Sequence, residues 1–451
     1  MALAGRSGSA REWDPRMPVP AGAGIDRRRF LLGAAGGLVS VYGAGRLGLT
    51  GRVLGDGIAQ AATVQSPTSP VLVSIFLQGG IDALSVLAPA GNALYQQLRP
   101  TLAVPITAGT PFTEDPSLRW HPSATSFAQL HNAGKVIVLP GIGYSSPDMS
   151  HFTSRHYWEV GATDTSLQTG WLGRYLDIAG TPTNPLQGLS MDGQMNPTLA
   201  TAVNPTAAIQ TPADFSLWLN GVWGDVFDWT LDSASALGDA QHHSKDPAIA
   251  QVAEAASEVG IVRRALAPFR GANGDPAYTS PVTYPTTTTG DLPQRLAGLA
   301  AMIASGLPLR AVALTTDTQF DTHATQASTF DTGLQLAADS IAAFQADLEA
   351  RGIDQRVLIH VWSEFGRRPQ ENGSNGTDHG AAGISLLIGS RTTGTMIGEW
   401  PTLTNLDING NQIENTDYRG IYSSLLEQWF DQDAAAVIPG AAGFARHQLI
   451  Q

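Results

Sequence analysis

Five short apolar runs, each ended by glycine or by polar residues, constrain the fold of this chain more than any other feature. They cover residues 71–77, 136–139, 310–315, 356–362 and 384–388. Apolar runs of this length are typical of strands that are buried on both faces, as they are in parallel sheets. The sequence therefore predicts a sheet with a layer of protein on either side.

Segments with helical periodicity lie between these runs. The clearest spans residues 330–351, where apolar side chains recur on one stripe and Gly352 follows the end. Weaker patterns cover 123–132, 247–266, 292–305 and 418–430. The alternation predicts an α/β fold with a doubly wound, mostly parallel sheet and helices on both faces. Residues 271–290 predict a loop, and the weak signals within 180–290 leave room for an inserted cap.

The N-terminal segment has the features of a twin-arginine export signal. Arg27 and Arg28 precede Phe30, a short run of small and apolar residues follows at 33–44, and Ala59-Gln60-Ala61 offers a small-x-small cleavage pattern. We therefore predict a removed signal peptide over 1–61, with Met1 or Met17 as its start, then a linker over 62–70 and one domain over 71–451. The predicted partner during export is the twin-arginine translocase, and the destination is the periplasm, the cell envelope or the medium.

Composition excludes several kinds of site and partner. The chain has no cysteine, which excludes disulfides, thiolate zinc sites and iron–sulfur clusters. Any metal must therefore be held by histidines, carboxylates or hydroxyls. The formal net charge of -13 disfavours nucleic acid and anionic membranes as partners. No apolar run after the signal is long enough for a stable membrane span.

Polar residues follow directly after several of the predicted strands. Asp82 follows the first strand, Asp321 and His323 follow the third, and Glu364 follows the fourth, with Asp378-His379 further on. In open α/β sheets ligands bind beyond the carboxyl ends of the strands, so we expect these side chains to converge. Each one alone could instead cap a helix. Converging carboxylates repel one another, and a divalent ion removes that conflict.

Five motifs carry a resemblance to a known family. They are Gly79-Gly80-Ile81-Asp82, Ser150-His151-Phe152, Phe320-Asp321-Thr322-His323, Ser363-Glu364-Phe365-Gly366-Arg367 and Gly376-Thr377-Asp378-His379-Gly380. In this order, behind a twin-arginine signal, they resemble the exported domain-of-unknown-function 1501 (DUF1501) family over roughly residues 70–450. That family is grouped with the alkaline phosphatase, sulfatase and phosphoglycerate mutase superfamily, so the resemblance implies an alkaline-phosphatase-like fold.

The resemblance also implies roles for single residues. It implies metal ligands at Asp82, Asp321, His323, Glu364 and His379, and a nucleophile at Ser150. Arg367 could clamp substrate oxygens through two N–H groups, or it could form a surface ion pair. Two departures leave a one-metal site or a loss of catalysis open. The Asp321–His323 spacing is two where the superfamily usually has four, and Phe365 stands where a histidine would complete a second metal site.

Three functional hypotheses follow. The first is an exported metal-dependent hydrolase or transferase of phosphate or sulfate esters, which uses a divalent ion (Zn, Mn, Mg or Ca) on an anionic small molecule or glycan. The second is a non-catalytic exported module on the same fold that binds an anionic glycan or a partner protein. The third, a metal-free hydrolase using Ser150 and His156, lacks a recognisable nucleophile elbow.

Overall fold

The computed structural model describes residues 41–42, 58–62, 69–213, 225–241, 243–271 and 275–451. The predicted signal peptide and linker lie outside these ranges except at 41–42, 58–62 and 69–70. None of the helices within the described ranges has the length and apolar character that a membrane crossing needs.

A nine-stranded sheet forms the centre of the molecule. The strands within the described residues are β1 (Val41–Tyr42), β2 (Val71–Phe76), β3 (Leu87–Ala88), β4 (Thr110–Pro111), β5 (Arg119–Trp120), β6 (Val136–Gly143), β7 (Gly188–Ser190), β8 (Thr206–Ala208), β9 (Ala311–Thr315), β10 (Val357–Trp362), β11 (Gly366–Glu371), β12 (Thr377–Gly380), β13 (Gly383–Ile388) and β14 (Thr416–Asp417). The central sheet has the order β1-β8-β7-β9-β2-β10-β13-β6-β14. Strands β1 and β13 run against their neighbours and the remaining pairs are parallel. The predicted α/β class with a mostly parallel sheet is confirmed.

Helices cover both faces of this sheet. From residue 69 onward, the described residues form the α-helices α1 (Ala83–Val86), α2 (Ala93–Leu98), α3 (Thr125–Asn132), α4 (His151–Val160), α5 (Trp171–Ala179), α6 (Asp225–Gln241), α7 (Pro247–Leu266), α8 (Leu292–Ala304), α9 (Gln326–Ala350) and α10 (Tyr418–Gln428). Alternate residues of β2 enter two different cores. Val73 packs in the core that α8 and α9 cover, whereas Leu72 packs in the core that α4, α5 and α10 cover. Burial on both faces explains why this strand is a nearly continuous apolar run, interrupted only by the buried Ser74.

The region predicted to hold an inserted cap divides into two parts. Strands β7 and β8, which lie inside 180–290, extend the central sheet instead of forming a separate unit. Each has three residues, too few to show a period in the sequence. Helices α6 and α7, in contrast, pack mainly on each other. Residues 377–380 form β12, which pairs with β11 in a separate two-stranded sheet.

The carboxyl ends of β2, β9 and β10 lie side by side, because β2 is paired in parallel with both other strands. Gly79 makes the turn after β2 with a φ of 104°, in the region that favours glycine. A Cβ atom at this position would lie 2.5 Å from the backbone nitrogen of Asp321. The turn therefore allows the loops after β2 and β9 to pack against each other.

Candidate metal centre

Four side chains converge beyond the ends of these strands. Asp321 and His323 lie in the loop after β9, His379 lies in β12, and His151 is the first residue of α4. The Nε2 atoms of His151, His323 and His379 lie 3.4, 3.0 and 3.3 Å from Oδ1 of Asp321. The Nε2 atoms of His323 and His379 are 3.0 Å apart. We call these four residues the Asp321 cluster.

Glu364 orients His151 through a hydrogen bond to Nδ1, the ring nitrogen that does not face Asp321. Its carboxylate is buried, accepts hydrogen bonds from the Gly79 N–H at 3.0 and 3.2 Å, and lies 2.7 Å from Nδ1 of His151. This hydrogen bond raises the pKa of His151. A proton on Nδ1 leaves the lone pair of a neutral imidazole on Nε2. That Nε2 atom is buried and has no hydrogen-bond partner among the described residues.

The other two histidines are also held through Nδ1. Nδ1 of His379 lies 2.8 Å from the carbonyl oxygen of Met149, and burial lowers the pKa of this histidine. Nδ1 of His323 lies 3.3 Å from Asp378. His323 is the most open of the three, with 45% of its side chain exposed against 28% for His151 and 23% for His379. In all three, Nε2 is the nitrogen that faces Asp321.

Arg367 keeps Asp321 ionised. Burial of Asp321 acts to raise its pKa, but the hydrogen bond and charge of Arg367, at 2.7 Å, outweigh it and lower the pKa to about 2. The guanidinium is buried and also donates to the carbonyl oxygens of Gly79, Gly80, Phe320 and Thr377. This arrangement differs from the predicted substrate clamp and from the surface ion pair, because the donors of Arg367 are directed to protein oxygens.

The donor set fits a divalent transition metal. Ligands of a tetrahedral zinc ion lie about 2.1 Å from it and therefore about 3.4 Å from each other, close to the 3.0–3.4 Å that separates the histidine nitrogens from Asp321 Oδ1. One ligand atom each from His151, Asp321 and His379 fits within a 4.8 Å span. Imidazole with carboxylate suits zinc and similar ions, whereas Ca²⁺ and Mg²⁺ prefer oxygen ligands. The strongest sign of fit is at His151, whose buried Nε2 has no hydrogen-bond partner among the described residues. Its Nδ1 is hydrogen-bonded to the carboxylate of Glu364, and such a carboxylate is the usual support of a histidine that binds a metal.

Two residues predicted as ligands have other partners. Asp82 is fully buried, and its oxygens accept hydrogen bonds from Arg99 at 2.5 and 2.9 Å, Ser85 at 2.6 Å and Gln326 at 2.7 Å. The charge of Arg99 outweighs burial and lowers the pKa of Asp82. Glu364 directs its carboxylate to Gly79, Ser363 and His151. The structure therefore places Asp82 in an ion pair with Arg99 and Glu364 in a hydrogen bond with His151.

Ser150, the predicted nucleophile, lies at the start of α4. It is the N-cap residue, and its Oγ accepts a long 3.4 Å hydrogen bond from the Thr153 N–H. Both of its neighbours in sequence are connected to the cluster. The carbonyl oxygen of Met149 lies 2.8 Å from Nδ1 of His379, and His151 is itself a member of the cluster. Ser150 is half-buried next to these contacts.

His151 is the residue that sequence reasoning did not assign. It stands in the quoted Ser150-His151-Phe152 motif at the start of a helix that follows β6. A serine with an N-cap pattern next to a histidine could have indicated that the histidine begins a helix at the same edge as the other strand ends. The sequence gives no sign that His151 pairs with Glu364, which is 213 residues away.

The comparison with family models supports the resemblance. The model described as "Protein of unknown function (DUF1501)" matches residues 273–417, which include Asp321, His323, Glu364 and His379. The predicted resemblance to the DUF1501 family is confirmed over that segment. Ser150 and His151 lie outside it. No curated protein sequence matches this chain.

Solved structures with a distant likeness were also found. The lipoteichoic acid synthase LtaP from Listeria monocytogenes aligns with a TM-score of 0.34 and 8% identity, covering 83% of this chain and 77% of that one. The C-terminal periplasmic domain of EcEptC from Escherichia coli, in complex with Zn, has a TM-score of 0.36, 10% identity and coverage of 82% and 87%. The sulfatase PsFucS1 from Pseudoalteromonas sp. has a TM-score of 0.35, 11% identity and coverage of 88% and 77%. Likeness at this level does not transfer an activity to the present chain.

Proposed function

We propose, from the match to the DUF1501 family and the geometry of the Asp321 cluster, that this chain is an exported metal-dependent hydrolase or transferase of phosphate or sulfate esters. The observation that carries the proposal is the buried Nε2 of His151, which has no hydrogen-bond partner among the described residues and faces Asp321 at 3.4 Å. A neutral imidazole nitrogen in that position has a lone pair in need of a partner. A divalent ion is the partner that suits it.

His151, Asp321 and His379 would hold the ion. When bound, it would lower the pKa of a hydroxyl or water and neutralise charge that develops on the ester oxygens. Catalytic zinc sites commonly use three protein ligands and keep one position open. His323 is the most exposed member of the cluster and lies on its solvent side, where a substrate would approach. We assign it to the open side and not to the core of the ligand set.

The charges around the cluster favour an anionic substrate. Arg367 pairs with Asp321, so this carboxylate is already neutralised before any ion binds. The carboxylate of Glu364 is buried behind His151 and faces away from solvent. A divalent ion among neutral histidines would then supply positive charge at the centre of the cluster, with the Asp378 carboxylate at the open side, 3.3 Å from Nδ1 of His323. The charge of the ion is complementary to a phosphate or sulfate group.

Ser150 is the proposed nucleophile. It is the N-cap of a ten-residue helix, whose first backbone N–H groups favour an anionic group. It is next in sequence to His151, whose Nε2 faces Asp321 at 3.4 Å. Within the part of the chain that the structure describes, its hydroxyl has one long hydrogen bond, from Thr153, and so remains available for attack on the ester.

Metal content and ester cleavage test the proposal together. Purified mature protein should contain about one divalent ion per chain and should cleave an aryl phosphate or an aryl sulfate. Ser150→Ala should retain the metal and lose activity, with about 1 kcal/mol of stability lost with the cap. Asn92→Ala, which removes the N-cap of α2, is the matched control and should keep full activity. A protein that binds no metal would exclude the proposal, and an active Ser150→Ala would exclude the nucleophile.

The alternative is a non-catalytic exported module whose metal is structural. It is favoured by the 3.0 Å contacts of His323 Nε2 with Asp321 and His379, which would allow four protein ligands. Four protein ligands are typical of closed structural zinc sites. His323→Ala separates the two functions. A catalytic site should keep the metal and lose ester cleavage, whereas a closed structural site should lose the metal.

A further inference from the structure

Gln326 is a buried amide that connects the segments carrying the Asp321 cluster. It is the first residue of α9 and is 1% exposed. Its Oε1 accepts hydrogen bonds from the hydroxyls of Thr322 at 3.0 Å and Thr377 at 2.6 Å. Its Nε2 donates to Asp82 at 2.7 Å. Each of these contacts reaches a different segment of the chain.

The two threonines lie next to the residues of the cluster. Thr322 stands between Asp321 and His323, and Thr377 lies two residues before His379 in β12. The Thr377 N–H also donates to the Thr322 carbonyl oxygen at 3.1 Å. One amide oxygen, together with this backbone hydrogen bond, therefore joins the loop that carries two members of the cluster to the strand that carries a third.

The third contact anchors the amide. Asp82 and Arg99 are both buried and form an ion pair, with one contact of 2.5 Å between Nη1 and Oδ2. Gln326 donates to the same Oδ2 atom that accepts from Arg99 and Ser85. This network sets the orientation of the amide, so that Oε1 is directed at the threonines and Nε2 at the carboxylate. Asp82 thus reaches the cluster through Gln326 and not by direct ligation.

The backbone next to Gln326 is hydrogen-bonded to the loop between β11 and β12. Thr325 has a φ of 45°, an uncommon conformation for a residue other than glycine. Its N–H donates to the Ser374 carbonyl oxygen, and the Gln326 N–H donates to the Asn375 carbonyl oxygen, both at 2.9 Å. Uncommon backbone conformations persist where the surrounding contacts determine them, and they occur often at functional sites.

We infer that Gln326 is a positioning residue for the metal centre, which sets the distance between Asp321, His323 and His379 by joining their segments to the Asp82–Arg99 ion pair. The inference rests on the proposed function, because it presumes that the cluster binds a divalent ion. Removing the amide should leave the ligands present but less well placed. Supporting contacts around metal ligands commonly contribute about 10–100-fold to metal affinity.

Gln326→Met tests the inference, because methionine has a similar length and lacks the three hydrogen bonds. Gln345→Met is the matched control, since Gln345 is a buried glutamine of the same helix whose amide contacts Glu349 and Ser390. Zn²⁺ affinity should fall about tenfold in Gln326→Met and stay unchanged in Gln345→Met. The visible spectrum of bound Co²⁺, which reports ligand geometry, should change only in Gln326→Met.

The outcomes separate this inference from the proposed function. If the parent protein binds neither Zn²⁺ nor Co²⁺, the proposed function fails and the inference fails with it. If the parent binds metal and Gln326→Met has the parent's affinity and Co²⁺ spectrum, only the inference is overturned. Should Gln326→Met not fold, Thr322→Val and Thr377→Val each remove one of the contacts at nearly constant volume. Unchanged metal affinity in both would equally overturn it.

Discussion

Nδ1 of His151 lies 2.7 Å from a carboxylate oxygen of Glu364, which is buried with 2% of its surface exposed. Glu364 also accepts the N–H of Gly79, so it is fixed by the turn after β2 while it orients a histidine of α4. The relationship links the turn after β2, the helix and the cluster. In the proposed metal centre, Glu364 would support His151 without itself binding the ion.

Glu364→Gln should weaken metal binding and leave the fold intact. Glutamine keeps the size and part of the hydrogen bonding, but it removes the charge that makes His151 a stronger ligand. We expect a loss of about 10–100-fold in Zn²⁺ affinity, as is typical for partners behind metal ligands. The measurement is a competition titration with a chromophoric chelator. Glu114→Gln, which alters another glutamate paired with a histidine (His131, at 2.9 Å), is the control and should bind the parent's amount of metal.

His151→Ala should cost more metal affinity than Glu364→Gln does, because it removes a ligand and not its support. The metal content of the purified variant should fall close to zero. His156→Ala is the control on the same helix, where Nε2 lies 3.3 Å from the Asp164 carbonyl oxygen and away from the cluster. It should keep both metal and activity. Loss of activity in His156→Ala with metal retained would support the metal-free Ser150–His156 hydrolase instead.

Metal affinity should depend on pH through His151. Its pKa is raised by the hydrogen bond to Glu364, and only the neutral imidazole binds a metal. As pH falls through this raised pKa, protons should displace the ion. In Glu364→Gln the pKa of His151 returns toward its usual value, so the loss should begin at lower pH. Zn²⁺ titrations between about pH 5 and about pH 8 measure both midpoints.

The folding stability of the metal-free protein should depend on pH in the opposite direction to the metal affinity. A raised pKa in the folded state stabilises the fold below the usual pKa of histidine, and this contribution is lost as pH rises through the raised value. Thermal unfolding of the apo-protein should therefore lose the His151 contribution on the alkaline side. The same scan of His151→Ala should lack this component. Identical pH profiles for parent and variant would contradict the assigned protonation of His151.

The arginine pair should control export. Receptors of the twin-arginine pathway read both side chains, so Arg27→Lys combined with Arg28→Lys should leave the precursor in the cytoplasm. Cell fractionation with an antibody against the mature domain measures this. Arg6→Lys combined with Arg11→Lys changes two earlier arginines and should export normally. Normal appearance of the doubly changed 27/28 protein outside the cytoplasm would refute the signal.

The sequence predicted the sheet well because its strands are buried on both faces. The run at 71–77 forms β2 (Val71–Phe76), and the run at 356–362 forms β10 (Val357–Trp362). It could not predict partners far apart in the chain. Asp82 looks like a ligand because it follows a strand, but only the folded chain reveals that Arg99 reaches it. His151 looks like an ordinary helix residue until Glu364 is placed behind it.

Asp82→Asn distinguishes a metal-binding role of Asp82 from a structural ion pair with Arg99. Asp82→Asn leaves the guanidinium of Arg99 buried without its counter-charge, and breaking one side of a buried pair costs about 3–5 kcal/mol of folding free energy. Both side chains have no exposed surface, so solvent screens neither. We expect a large fall in the free energy of unfolding, measured in urea, with about one metal ion still bound per folded chain.

The same variant should lose only a modest part of its metal affinity, because the amide oxygen of the substituted side chain can still accept a hydrogen bond from Gln326. Chelator competition on the folded protein measures this affinity separately from the urea transition. If instead the metal is lost while stability in its absence is unchanged, Asp82 is a ligand after all. The ion pair with Arg99 would then yield to the metal when it binds.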